Sequence, residues 1–180
     1  MLAVEIMTAQ QVTWDVVLNH LSKRNFAVLS TSDEAGTPHS AGVNYGVLGA
    51  GREVVLYVMT RRHLRKARNV AQNPAVSLVV PLTRRLLWSL PPPTIQLNGE
   101  AEIVDWTDED GTDVFEGFWM GRRILKAYQE FHHRGEARIC FLKITPDPVI
   151  NTYMIGSSIW KLRTRMESGA AKVVNPRGRR

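Results

Sequence analysis

A succession of short β-rich runs separated by turn residues constrains the fold of this chain more than any other feature. The first run, residues 26–31, is followed by Asp33-Glu34-Ala35-Gly36-Thr37-Pro38, where a glycine supplies the dihedral angles of a hairpin turn. A second run, 39–48, reaches a Gly-containing turn at 49–52 and leads into a third run at 53–59. Because hairpins join antiparallel neighbours, this order predicts an antiparallel sheet.

Further runs continue the pattern, and helical segments enter only as insertions. Apolar and β-branched residues predict strands at 75–80, 94–104, 137–144 and 149–154. Helical spacing predicts helices at about 9–22, 65–73 and 114–132, with an acidic linker at 106–113. We therefore predict a mainly β protein, a small antiparallel barrel with short flanking helices.

Composition limits the domain count and the cellular setting. A chain of 180 residues with 44% hydrophobic content can bury one core, so we predict one domain over residues 1–165 and a basic, flexible tail over 166–180. No apolar run approaches the roughly 20 residues that cross a bilayer, and no signal-peptide layout begins the chain. The single cysteine, Cys140, lies in an apolar run and indicates a buried thiol in a reducing cytoplasm.

The segment from Thr60 to Asn69 concentrates positive charge at one point of the predicted fold. It follows the apolar run 54–59, so the order along the chain is strand, threonine-containing turn and basic helix start. Such an order brings backbone N–H groups, a hydroxyl and cationic side chains together. These are the groups that bind a phosphate, and a phosphorylated small molecule or cofactor is the first interpretation.

Several motifs, in this order, make the chain similar to a known family. They are Ala27-Val28-Leu29-Ser30-Thr31, Gly36-Thr37-Pro38-His39, Tyr57-Val58-Met59-Thr60, Arg65-Lys66-Ala67-Arg68-Asn69, Asn73-Pro74-Ala75-Val76-Ser77-Leu78 and Gly99-Glu100-Ala101-Glu102. Together they resemble the split-barrel flavin-binding proteins related to pyridoxamine 5′-phosphate oxidase, most closely over residues 26–104 and onward to 154. The resemblance implies a split, Greek-key-like β-barrel that forms a homodimer, with the cofactor in a cleft between the two barrels.

The resemblance also implies which residues bind the cofactor. It assigns Arg65 and Lys66 to the phosphate, and Met59 and Thr60 to the ring or the phosphate. The two cations suit this role, because arginine offers a planar fork of donors and lysine a point charge. Asn69 matches a Lys-x-x-Asn pattern of relatives that use a deazaflavin.

The second strand is the other part of the implied site. By the same resemblance, residues 41–45 supply backbone groups along the ring edge, and Val43 and Asn44 are the cofactor-binding residues there. Two departures from the family pattern argue against oxidation of pyridoxamine phosphate itself. Ala41 stands where those oxidases carry an arginine, and Thr94 where they carry a glutamine.

The predicted function is a flavin- or deazaflavin-dependent oxidoreductase that transfers hydride between the cofactor and a small organic substrate. The absence of an acid–base dyad or nucleophile motif does not oppose this prediction, because the cofactor carries the redox chemistry. The alternatives are an FMN-dependent enzyme like pyridoxamine phosphate oxidase and a non-catalytic cofactor- or polyanion-binding protein.

The identity of the cofactor stays open between FMN and the deazaflavin coenzyme F-420, with haem, which relatives of this barrel bind, as a third possibility. The charge of the basic run favours the longer, polyanionic deazaflavin slightly. The contributing arginines outside the phosphate pair are Arg61, Arg62, Arg68, Arg84 and Arg85. Residues 82–93 interrupt the sheet, and Trp88 within them is a candidate aromatic cap for a bound ring.

Two other kinds of site are disfavoured. His132 and His133 are adjacent, so on a helix they point in different directions and no third ligand stands at metal-binding spacing. The net charge of +6 suits nucleic acid, but aromatic residues do not alternate with the basic run and no helix-turn-helix or zinc pattern is present. We therefore expect no metal, no membrane partner and no nucleic-acid partner.

Overall fold

The fold is built mainly from strands, with four helices in the described part of the chain. A computed structural model describes residues 12–49, 54–82, 92–155 and 169–175. The helices are α1 (Trp14–Ser22), α2 (Arg65–Gln72), α3 (Glu109–Glu116) and α4 (Trp119–His133). The strands are β1 (Phe26–Ser32), β2 (Pro38–Leu48), β3 (Val55–Arg61), β4 (Ala75–Pro81), β5 (Thr94–Asp105), β6 (Ile139–Pro146), β7 (Val149–Tyr153) and β8 (Ala170–Val174).

The sheet closes on itself and then divides at one edge. Its strand order is β4-β1-β2-β3-β6-β5-β7-β8, and an additional β4–β5 pairing closes the first six strands into a barrel. The order β4-β1-β2-β3 is that of a Greek key. β5 pairs with β4 along one edge and shares the other edge between β7, at residues 94–96, and β6, at 99–105. This arrangement confirms the predicted class, a mainly β, split antiparallel barrel with short flanking helices.

Two apolar clusters lie on opposite sides of β3. Leu56 and Val58 point into the barrel, whereas Val55, Tyr57 and Met59 face the layer formed by α3 and α4. This explains why β3 is buried at six consecutive positions instead of alternating. The helices α3 and α4 thus cover the face of the barrel on which β3 ends.

The acidic segment predicted as a linker is a helix. Asp108 caps α3, because its side chain accepts a hydrogen bond of 2.9 Å from the backbone N–H of Gly111. Glu109 and Asp110 then occupy the first turn, where negative charge is favourable. The single helix predicted at 114–132 is therefore two helices, separated at Gly117 and Phe118.

Part of the predicted C-terminal tail is a strand of the sheet. Within it, β8 pairs with β7 in antiparallel register from Val149↔Val174 to Tyr153↔Ala170. The run Ala170-Ala171-Lys172-Val173-Val174 is short and carries no turn signal, so its pairing depends on β7 and not on its own pattern. The basic residues 176–180 lie outside the described residues, as do the predicted helix start at 9–11 and most of the 82–93 interruption with Trp88.

Gly121 sets the approach of α4 to α3. A Cβ atom at this position would overlap the backbone carbonyl oxygen of Phe115. Helix propensity alone predicts that Gly121→Ala stabilises α4 by about 0.8–1.0 kcal/mol. Because a carbonyl oxygen cannot rotate away, we instead expect a net destabilisation, with overpacking costing about 1–3 kcal/mol.

Chemical denaturation measures this effect as a lower midpoint. The matched control is Gly117→Ala, where the nearest atom to an added Cβ lies 3.3 Å away and should cost less. A Gly121→Ala protein as stable as the wild type, or more stable, would show that helix propensity outweighs the contact with α3.

Candidate functional site

A pocket of about 220 Å³ opens where β2, the end of β3 and the start of α2 meet the α3–α4 layer. We call it the Thr60–Lys66 pocket. Its lining is Gly42, Val43, Asn44, Met59, Thr60, Leu64, Lys66, Phe115, Ile124 and Tyr128. The structure therefore brings together five of the seven residues predicted to bind the cofactor: Val43, Asn44, Met59, Thr60 and Lys66. Their role in binding it remains a prediction.

β2 presents an open backbone edge to this pocket. Residues 38–44 pair with β1 on one side of β2, but pairing with β3 on the other side covers only residues 45–48. At the same level β3 continues through Met59, Thr60 and Arg61, which pair with β6. The two strands therefore separate at residues 42–44, and in the described chain no strand pairs with that edge. Backbone polar groups in such a gap need partners, and a ligand can supply them.

Thr60 brings an unsatisfied hydroxyl to the pocket. Its side chain is only 1% exposed, and within the described residues its Oγ1 has no hydrogen-bond partner. A buried hydroxyl without a partner is unfavourable by about 1–3 kcal/mol. A ligand oxygen in the pocket would remove that penalty.

Lys66 adds a positive charge that has no ion-pair partner among the described residues. Its ammonium is half-buried, and no carboxylate of the described residues lies within 4 Å of it. Burial lowers the pKa of this ammonium, with a smaller opposing effect from Cys140. An anion placed beside Lys66 would favour its charged form.

The start of α2 adds backbone donors at the same place. Leu64 occupies the N-cap position and offers no side-chain acceptor, and the first turn contains no acidic residue. The first N–H groups of a helix are unpaired and carry partial positive charge. Thr60, Lys66 and this helix start together form a site of the kind that binds a phosphate or carboxylate.

Arg65 and Asn69, the other two predicted residues, do not line the pocket. Arg65 is half exposed, and its Nη2 lies 3.6 Å from Oδ2 of Asp33 in the β1–β2 turn. Asn69 is 3% exposed, and its Nδ2 donates a hydrogen bond of 2.9 Å to Oγ1 of Thr31. In this structure Asn69 therefore fastens α2 to β1.

Most of the remaining charge in the basic run is already engaged. The guanidinium of Arg61 lies 5.1 Å from the ring centre of Tyr128 and 4.8 Å from that of Phe131. Arg62 lies 4.0 Å from Asp105. Of the cations in 61–68, only Lys66 and Arg68 lack a carboxylate within 4 Å among the described residues. Arg84 and Arg85 lie outside those residues.

Sequence reasoning missed the wall contributed by α3 and α4. Phe115, Ile124 and Tyr128 belong to the second apolar cluster or pack against it, and they also face the pocket. Phe115 is held by Phe141, whose ring centre lies 5.5 Å away. Only the long-range packing of α3 and α4 on β3 and β6 identifies these residues as pocket residues.

The described residues hold no group of three or more histidine, cysteine or acidic side chains placed to bind a metal. His132 instead places Nδ1 3.3 Å from the carbonyl oxygen of Glu136 and its ring against Trp106. Among the described residues, no helix is long and apolar enough to span a membrane.

The closed barrel, its divided β5 edge and the pocket beside the start of α2 define a split-barrel protein. The family model described as pyridoxamine 5′-phosphate oxidase matches residues 14–153. The chain belongs to that family, as its motifs predicted. No curated protein matches the sequence.

Solved structures share the fold at low sequence identity. HutZ, the heme storage protein from Vibrio cholerae, is 17% identical, with a TM-score of 0.58 over 78% of this chain and 94% of that one. A heme binding protein from Mycobacterium smegmatis is 14% identical, with a TM-score of 0.63 over 88% and 56%. A putative pyridoxamine 5′-phosphate oxidase from Listeria innocua is 22% identical, with a TM-score of 0.52 over 79% and 98%. These similarities concern the fold alone.

Proposed function

We propose that the Thr60–Lys66 pocket binds the phosphate end of a flavin-type cofactor, FMN or coenzyme F-420. We further propose that the protein is an oxidoreductase acting on a small organic substrate. The observation that carries this proposal is that one pocket is lined by the buried Thr60 hydroxyl and the half-buried Lys66 ammonium at a helix start, both without a partner among the described residues. Family membership supports the same class of ligand.

Each part of the pocket has a role in this proposal. Lys66 and the first N–H groups of α2 neutralise and orient the phosphate, and Thr60 donates its hydroxyl hydrogen to a phosphate oxygen. The open edge at residues 42–44 offers backbone groups to the polar side of the ring, while Met59 and Phe115 exclude water. When bound, the cofactor supplies the redox chemistry, the transfer of a hydride to or from the substrate.

We propose that a second copy of the chain completes the site. Pockets that enclose a whole drug-sized ligand measure about 300–1,000 Å³. The Thr60–Lys66 pocket, at about 220 Å³, has room for only part of a flavin. A homodimer with the cofactor between its barrels would cover the rest.

A comparison of FMN with riboflavin tests the proposed phosphate site. The two molecules differ only in the phosphate, so FMN should bind at least ten times more tightly than riboflavin. Both affinities can be measured by flavin fluorescence. Equal affinities for FMN and riboflavin would show that Lys66 and Thr60 do not bind the phosphate. For the proposed activity, reduced cofactor bound to the protein and mixed anaerobically with menadione should be reoxidised faster than free cofactor.

FMN and F-420 remain equal candidates in this proposal. The additional arginines give less support to the deazaflavin, because Arg61 and Arg62 already face carboxylates in the described structure. Haem stays a third candidate: of its usual axial ligands, the described lining contains Met59 and Tyr128 but neither histidine nor cysteine. A polyanion-binding protein without turnover is the alternative outside enzymes.

Asp33 competes with the proposed cofactor for Arg65. Asp33→Asn removes the charge that faces Arg65 but keeps the oxygen that accepts the 2.8 Å bond from the Thr37 N–H. Arg65 should then be free to turn toward the phosphate, and FMN affinity should rise by up to about fivefold, the range of an exposed ion pair.

The control for the Asp33→Asn variant is Asp105→Asn. Asp105 faces Arg62 at 4.0 Å, also accepts local hydrogen bonds, and does not line the pocket. Both changes remove one negative charge, so an equal gain in FMN affinity for both would indicate a general charge effect and contradict the proposed competition.

A further inference from the structure

A second pocket, of about 270 Å³, lies where α1 joins β1. We call it the Arg24 pocket. The connecting residues Lys23, Arg24 and Asn25 form one side, β2 forms the floor, and the end of α3 with Phe118 forms the opposite wall. It shares no lining residue with the Thr60–Lys66 pocket. The proposed binding of a cofactor in the Thr60–Lys66 pocket therefore gives no role to the Arg24 pocket.

The side formed by Lys23 and Arg24 carries positive charge that no described carboxylate compensates. Within the described residues, Nε of Arg24 is buried without a hydrogen-bond partner, and no carboxylate lies within 4 Å of either cation. Among the described residues, no acidic side chain lines the pocket. Burial lowers the pKa of His20 nearby, and the charges of Arg24 and Lys23 lower it further.

The helix end explains only part of this arrangement. Cations near the C-terminus of α1 interact favourably with its dipole, which accounts for a lysine or arginine in this position. It does not account for a buried guanidinium nitrogen that has no acceptor, because such a donor is costly to leave unpaired. An external anion would supply the missing acceptor.

The side of the pocket opposite the cations is apolar. Val47, Val114 and Phe118 line it opposite the cations. A Cβ atom on Gly46 would overlap Val114, so the glycine lets α3 rest directly on β2 and close that side. The volume lies just below the range of about 300–1,000 Å³ for drug-sized ligands, which suits a molecule of roughly one ring.

We propose that the Arg24 pocket binds a small organic anion, a carboxylate or phosphate on an apolar body. The anionic group pairs with Arg24 and the body lies against Val47 and Phe118. This site is separate from the cofactor pocket and does not depend on the proposed redox function.

Titration of the ¹⁵N-labelled protein with benzoate, without any flavin, tests the site by NMR. Saturable shifts should concentrate on the backbone amides of Arg24, Asn25, Gly46 and Gly117. Benzamide, the neutral analogue, and inorganic phosphate, which has no apolar body, should each bind at least tenfold more weakly. The proposal would be overturned if benzamide bound as tightly as benzoate, or if the shifts failed to saturate. This test uses the wild-type protein and needs no variant.

Two variants with the same change in charge complete the test. Arg24→Gln should weaken benzoate binding by about tenfold or more, as expected for a lost charge-assisted contact. Lys126→Gln, on the exposed side of α4, should leave it unchanged. Unchanged affinity in a folded Arg24→Gln protein would contradict the assignment, as would equal losses in both variants.

Discussion

Replacing Lys66 by glutamine is expected to weaken FMN binding by about tenfold to a hundredfold. The change removes the unpaired cation of the Thr60–Lys66 pocket but keeps a side chain of similar length. A hydrogen bond to a charged group contributes about 1.5–3 kcal/mol, which corresponds to that range of affinity. The fold should be unaffected, because within the described residues Lys66 forms no ion pair that the change would break.

Arg68→Gln is the matched control for the Lys66→Gln variant. Arg68 lies on the same helix, is exposed, has no carboxylate within 4 Å among the described residues, and does not line the pocket. Both variants lower the net charge by one, so the difference between them isolates the local contact. If Arg68→Gln and Lys66→Gln reduced FMN affinity equally, the interaction would be long-range attraction and not a phosphate site.

Phe141→Ala is expected to destabilise the protein by about 3–5 kcal/mol, the usual cost of removing a fully buried phenylalanine. Phe141 is 0% exposed, and its ring centre lies 5.8 Å from that of Tyr57 and 5.5 Å from that of Phe115. It therefore joins β3 and β6 to the α3 helix. Because Phe115 forms part of the pocket wall, FMN affinity should also fall in the fraction that remains folded.

Urea denaturation measures the stability effect of Phe141→Ala as a lower midpoint with a similar m-value. The control is Phe26→Ala, since Phe26 is 48% exposed and its loss should cost about 0.5 kcal/mol. A similar, small loss of stability in both variants would contradict the assignment of Phe141 to the cluster that carries α3.

The barrel could be predicted because its signals are local. The Asp33–Pro38 turn sets the β1–β2 hairpin, and alternation in residues 94–100 sets the buried face of β5. The pocket residues at 59–66 follow the same logic, because a strand end, a turn and a helix start are adjacent in the chain. Family resemblance then added Val43 and Asn44, which sequence spacing alone does not connect to Lys66.

The side-chain placements that the sequence does not indicate depend on long-range contacts. The sequence contains both Asn69 and Thr31, but not the 2.9 Å bond between them that turns Asn69 toward β1. Likewise, Arg65 and Lys66 are neighbours with similar chemistry, and only the position of the β1–β2 turn directs Arg65 to Asp33. β8 was missed because a five-residue run has no clear pattern until β7 supplies its partner.

The most direct test of the central claim is a titration of the purified protein with FMN, coenzyme F-420 and haem in turn, at moderate salt. We predict saturable, micromolar or tighter binding of FMN or F-420 that persists as salt rises, because a pocket shields its charges better than an open surface does. Binding of haem alone, or of no cofactor, would contradict the proposed function while leaving the split-barrel fold in place.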